Sequence, residues 1–231
     1  MKENSGATTH FMRDQRLAER DPCEDWDLVI GGGPVMATAI HDGHAIRESL
    51  LPHVALDPVA RRREEDPMTG MLTAVADTRL RVRTSRFQVD LNRPREKAIS
   101  SDPADTWGLQ VWQGPLPEVE IARSLALHDR FYAMMRSLLD EMVAEWGCVL
   151  LLDIHSYNHR RDGADASPAA PADNPDIELG VTTLEHGRWG KTLQRFTDAL
   201  RSQPVAGRTP DIRENIRYPT GGYFPEWVYA T

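Results

Sequence analysis

Apolar residues in this chain recur with two different periods, and the changes between them mark its elements. The clearest signal is helical. Ile121, Leu125, Phe131, Met134, Met135, Leu138, Leu139, Met142 and Val143 return at helical spacing between Glu118 and Trp146, and Gly147 supplies a stop. That stripe of Met and aromatic residues is a core contact. Directly after it, Cys148 to Asp153 is an unbroken apolar run ending in an acid, the pattern of a strand buried in a parallel sheet. Helix and strand then form one αβ unit. Asp27 to Ile30 and Val35 to Ile40 read as two further strands, with Gly31-Gly-Gly-Pro34 as a hairpin-like turn between them. That glycine run lacks the spacing and the Lys-Ser/Thr ending of a phosphate loop. Leu80-Arg-Val-Arg83 alternates apolar with charged, which suits an edge or half-exposed strand.

Later signals are weaker. Ile177 to Val181 predicts a short strand, and Leu193, Phe196 and Leu200 predict an amphipathic helix over residues 190–203. Residues 211–215 and 221–223 read as strand and loop. Between the elements, the charged run from Asp57 to Leu72 is expected to be mostly a solvated helix face or loop. Residues 95–117, rich in Pro, Gly, Trp and Asp, read as a long loop, often a lid or pocket wall. The expected organisation is a flexible arm over residues 1–25 followed by a single domain over 26–231. Its expected fold class is α/β: a mixed, mainly parallel sheet flanked by helices.

Composition narrows the partners. A formal net charge of -8 argues against nucleic acid and anionic membranes, while leaving room for a local basic pocket that takes a small anion. The two cysteines, Cys23 and Cys148, show no paired spacing, and no apolar run approaches membrane-spanning length. The expected compartment is the cytoplasm. Nothing in the sequence sets an oligomeric state.

Three polar clusters follow strand patterns, where open α/β sheets collect ligands. The first is Asp153-Ile-His155-Ser-Tyr157, and the second is His41-Asp-Gly-His44. Metal-dependent hydrolysis needs about three N or O ligands with one position open for water. His41, His44 and His155 supply imidazoles from two strand ends. Glu48 and Asp66 stand as carboxylate alternatives to His44, and Asp153 as a group that orients an imidazole. The third cluster, Ser85 to Pro94, ends in Asn92-Arg93, an amide beside a guanidinium that can fork both oxygens of a carboxylate. Arg86 and Arg213 are candidates for the same positive pocket, with a surface ion pair the plainer reading of Arg213.

Ile40-His41-Asp-Gly-His44, Arg63-Glu64-Glu65-Asp66-Pro67, the stretch from Ser85 to Pro94, and Asp153-Ile-His-Ser-Tyr157 together carry a resemblance. The chain resembles the N-formylglutamate amidohydrolase family, itself similar in fold to the zinc carboxypeptidases, over roughly Ile30 to Tyr223. The resemblance implies a zinc-dependent hydrolase of a small N-acyl amino acid. His41 and His155 fall on metal positions, and Asn92 and Arg93 on carboxylate-binding ones. His44 stands where the carboxypeptidase relatives have Glu, and the family has acidic residues near Asp66, so the third ligand lies between those two. The relatives also carry a general-base Glu on a strand near the C-terminus, which nothing after Gly222 matches. The expectation is therefore a base beyond Thr231, on a C-terminal strand that this chain lacks. The alternative is a non-catalytic metal- or carboxylate-binding module that has lost its base.

Overall fold

The computed structural model describes residues 25–231. The arm expected over 1–25 thus lies, Asp25 apart, outside the described residues. Two compact units are formed. One carries the described chain up to Asp90 together with Ile99–Ser156, and the other carries Leu91–Ala98 and Tyr157–Thr231.

The first unit is built on four strands: β1 (Trp26–Val29), β2 (Val35–Ala39), β3 (Thr78–Val82) and β4 (Leu150–Asp153). Their order is β1-β3-β2-β4. β2 pairs in parallel with both β3 and β4, and β1 runs antiparallel to β3. The sheet is therefore mixed and mainly parallel, as the sequence leads one to expect.

Two details differ from expectation. β1 and β2 do not form a hairpin, because β3 lies between them. The connection instead crosses the entry to β3. A Cβ on Gly31 would sit 2.4 Å from that of Asp77, and the Gly31 N–H donates to Thr78 Oγ1 at 3.1 Å. β3 is also no edge strand, since it is paired on both sides. Its alternation reflects two faces, with Thr78, Leu80 and Val82 buried and Arg81 exposed. The outer positions belong instead to β1 and to β4, which is half-buried along its length.

The charged run holds α1 (Pro58–Glu64), started by Asp57, whose carboxylate accepts from the N–H groups of Val59 and Ala60. The short turn α2 (Thr69–Leu72) follows. This run is less solvated than expected, because Arg61, Glu65 and Asp66 are buried.

The long helix α3 spans Glu118–Trp146 and stops at Gly147, whose φ of 75° suits a glycine. Phe131, Met135, Leu138 and Met142 are buried on it, and Phe131 meets Trp26 of β1 edge-on at 5.8 Å. Its buried face continues through Glu120, Ser124 and His128, which apolar periodicity cannot find. Arg47 explains the first two: Nε donates to Glu120 Oε2 at 2.6 Å and Nη1 to Ser124 Oγ at 2.8 Å. Part of the long loop is core as well. Val111 and Trp112 pack with Leu50 and Phe87, and the Trp112 indole N–H donates to Ser100 O at 2.9 Å.

In the second unit β5 (Ile177–Leu179) and β6 (Ile212–Glu214) form a parallel pair, accompanied by α4 (His186–Arg201) and α5 (Tyr223–Ala230). The sequence reading has loop where α5 begins. The missing signal is remote: the Phe224 N–H is taken by Asn92 Oδ1 at 3.0 Å, from 132 residues away in the chain.

One glycine ties the fold to the loop between His41 and His44. A Cβ on Gly43 would lie 2.3 Å from the Arg83 carbonyl carbon and oxygen, whereas one on Gly32 would meet nothing within 4 Å. Gly43→Ala should therefore lower stability by about 1–3 kcal/mol, as overpacking does, with Gly32→Ala close to neutral. Urea unfolding of both variants checks this. Equal midpoints would mean that the chain relaxes around Gly43 without cost.

Candidate metal centre

Parallel register brings two imidazoles together. Thr38 of β2 stands opposite Asp153 of β4, and the Ile154 N–H continues the ladder to Thr38 O at 2.8 Å. His41 and His155 each follow the end of their strand by two residues. Their rings lie 4.9 Å apart at 65°. Asp66 arrives from the end of α1, where its N–H donates to His41 O at 2.9 Å. Among the described residues, His41, Asp66 and His155 offer one ligand atom each within 4.8 Å of one another.

Both rings are oriented in the same way. His41 Nε2 meets Asp90 Oδ1 at 2.8 Å, and Asp90 Oδ2 accepts from Arg86 Nη2 at 2.9 Å. His155 Nε2 meets Asp153 Oδ2 at 2.8 Å, and Asp153 Oδ1 accepts from Thr38 Oγ1 at 2.8 Å. Each imidazole thus turns Nδ1 towards Asp66, with Oδ2 at 2.8 Å from His155 and 3.6 Å from His41. A carboxylate on the outer nitrogen is the usual support of a metal-binding histidine.

The donor set fits a metal by a direct observation: His41 Nδ1 is buried and has no hydrogen-bond partner. Buried polar atoms are rarely left so, because an unmet one costs about 1–3 kcal/mol. Two imidazole nitrogens and one carboxylate oxygen are the donors zinc takes.

The charges agree with this picture. Burial works against a charge on His155, but Asp153 and Asp66 outweigh it and push the ring's pKa up to about 10. Burial likewise opposes ionisation of Asp66, yet hydrogen bonding and the charges of His155 and His41 hold its carboxyl well below the usual carboxylate range. A cation is favoured at this point, whether proton or metal.

The other predicted residues have different surroundings. His44 is absent from the group: Nδ1 meets Glu65 Oε2 at 2.5 Å and Nε2 lies 3.2 Å from Arg61 Nη2. Glu65 also accepts from Ser85 Oγ at 2.5 Å. Glu48 is exposed in the 3-10 turn Glu48–His53. Arg86 is engaged by Asp90 and lies 5.1 Å from the Trp107 ring centroid. Arg213 donates to the carbonyls of Ala172 and Pro171 and pairs with Asp211 at 3.1 Å. Asn92 caps α5, and Arg93 is half-buried.

Asp90 and Glu65 were missed as partners of histidines. Asp90 sits within Phe87 to Leu91, a run whose burial only the fold reveals. Acids are almost never buried without a partner.

Residues 33–230 match the N-formylglutamate amidohydrolase family. Among solved structures, the chain is similar to the N-formylglutamate amidohydrolase of Ralstonia eutropha JMP134, with a TM-score of 0.68 and 18% identity over 89% of this chain and 80% of that one. It is also similar to a gene product of Agrobacterium tumefaciens, with a TM-score of 0.62 and 19% identity over 90% and 80% of the two chains. At such identities these likenesses establish the fold. No curated protein matches the chain.

Because the pKa of His155 is raised from 6.5 to about 10 on folding, its pairing stabilises the metal-free protein fully below about pH 6.5, and that contribution is lost as pH rises through about 10. Histidine ring NMR on metal-free protein should therefore show His155 still protonated at about pH 8, and Asp153→Asn should lower its midpoint. An ordinary midpoint in the wild type would contradict the arrangement.

Proposed function

The chain belongs to the N-formylglutamate amidohydrolase family, and from that membership we propose that it hydrolyses the amide bond of a small N-acyl amino acid of the N-formylglutamate kind, with zinc as its metal. His41, Asp66 and His155 would hold the ion. The observation that carries this reading is the buried, unpartnered His41 Nδ1 facing an Asp66 oxygen at 3.6 Å, with His155 alongside. Three protein donors with a position left open is the pattern of catalytic rather than structural zinc. When bound, zinc supplies Lewis acidity towards water and the acyl carbonyl.

The chain's own residues have separate tasks. Asp90 and Asp153 keep the imidazoles aimed, so the donor set needs little rearrangement. Arg93 offers a planar fork for the substrate carboxylate, which Lys cannot reproduce. Asn92, whose Oδ1 accepts from the Phe224 N–H, is the amide beside that guanidinium at the carboxylate-binding position the family resemblance implies.

Protein purified without chelators should carry about one zinc per chain and release formate from N-formylglutamate, with His155→Ala losing both. Arg93→Lys should keep its zinc and bind the substrate more weakly by about 1–3 kcal/mol. Equal metal content in wild type and His155→Ala would sink the metal assignment. Unchanged substrate binding in Arg93→Lys would remove that residue from the carboxylate site.

A further inference from the structure

We propose that Arg86 and Trp107 are positioning residues for His41, forming a line from an exposed loop to a candidate metal donor. The inference rests in part on the metal reading above.

An ionised carboxylate only accepts hydrogen bonds. His41 Nε2, 2.8 Å from Asp90 Oδ1, must therefore carry the ring proton, which leaves Nδ1 bare. Nothing else holds this tautomer, because Nδ1 has no hydrogen-bond partner. The donor is therefore aimed only while Asp90 keeps its Oδ1 on Nε2. Arg86 secures that: its Nη2 donates to the second Asp90 oxygen at 2.9 Å, from four residues earlier in the chain.

Arg86 is in turn covered. Its guanidinium lies 5.1 Å from the centroid of the Trp107 ring, within range of a cation–π contact that shields one face from water. Trp107 itself is 54% exposed, so core packing does not account for it. Its backbone has φ +55°, a left-handed conformation unusual for so bulky a residue. The local chain is built to hold it there. Trp107 closes the 3-10 turn Pro103–Thr106, which Asp102 caps through Ala104 N–H at 2.9 Å, and Thr106 Oγ1 donates to Leu109 O at 2.8 Å. An exposed indole held in a costly conformation against a half-buried guanidinium is explained if its task is to keep that guanidinium on Asp90.

Arg86 therefore acts on the metal through Asp90 and His41 rather than on the substrate. Two readouts test this in Arg86→Gln, Trp107→Ala and Trp107→Phe: the His41 tautomer, from ring nitrogen shifts in metal-free protein, and zinc affinity, from competition with a chelator. Arg86→Gln should shift His41 towards the Nδ1–H form and weaken zinc binding by about tenfold or more. Trp107→Ala should move both in the same direction, with affinity falling by about 2–5-fold, and Trp107→Phe should restore most of it. A merely structural Trp107 would lower the unfolding temperature and leave the tautomer unmoved, which overturns its part. Unchanged tautomer and affinity in folded Arg86→Gln overturns the whole line. Should Arg86→Gln fail to fold, the Trp107 pair decides alone. If the wild type holds the Nε2–H tautomer but binds no zinc, the metal reading fails, and the positioning line is judged by the tautomer shift alone.

Discussion

His41 Nδ1 and Asp66 Oδ2 are both acceptors, both buried, and held 3.6 Å apart. Two lone pairs facing each other away from water are unfavourable unless something positive stands near them. Much of the surrounding structure can be understood from that constraint. In metal-free protein a positive charge stands there as the His155 imidazolium, which donates one N–H to Asp66 and the other to Asp153. That explains why the ring holds its proton to unusually high pH. A divalent cation would replace the proton and satisfy the bare nitrogen as well, which a proton on His155 does not do.

The fold provides this arrangement through the backbone before any side chain contributes. Parallel pairing of β2 with β4 fixes the separation of the two strand ends, and the backbone bond from Asp66 to His41 fixes the third group. Buried carboxylates destabilise unless they are paired, and here each has a partner: Asp90 has Arg86, Asp153 has Thr38, and Asp42 has Arg81 and the Gly70 N–H. Glu65, next to Asp66, is tied to Ser85 and His44 in the same manner. His44 is thereby occupied in a separate network, although its spacing from His41 makes it an attractive ligand on paper.

What could be read from the sequence was whatever depends on local pattern. α3 and its glycine stop are where periodicity sets them, and the strand-end character of His41 and His155 follows from the apolar runs that precede them. Pairing partners were not legible. A Gly-rich connection between two strands resembles a hairpin until a third strand is known to lie between them. Burial of charge was equally hidden, because Arg61 and Glu65 look like a solvated run unless Ser85 and His44 are known to meet them. The choice between His44 and Asp66 turned on such long-range contacts, and α5 depended on a cap supplied by Asn92. The motifs that carried the family resemblance survive these errors because they record chemistry at strand ends rather than topology.

On the reading proposed above, two imidazoles and one carboxylate of this chain form a single cation site. X-ray absorption at the zinc edge of the metal-loaded protein tests it most directly, since it reads the donors themselves. The spectrum should show nitrogen and oxygen scatterers at about 2.0–2.2 Å with the outer-ring pattern of two imidazoles, and with one imidazole fewer in any metal retained by His41→Ala. A sulfur shell at about 2.3 Å, or a spectrum without imidazole, would contradict it.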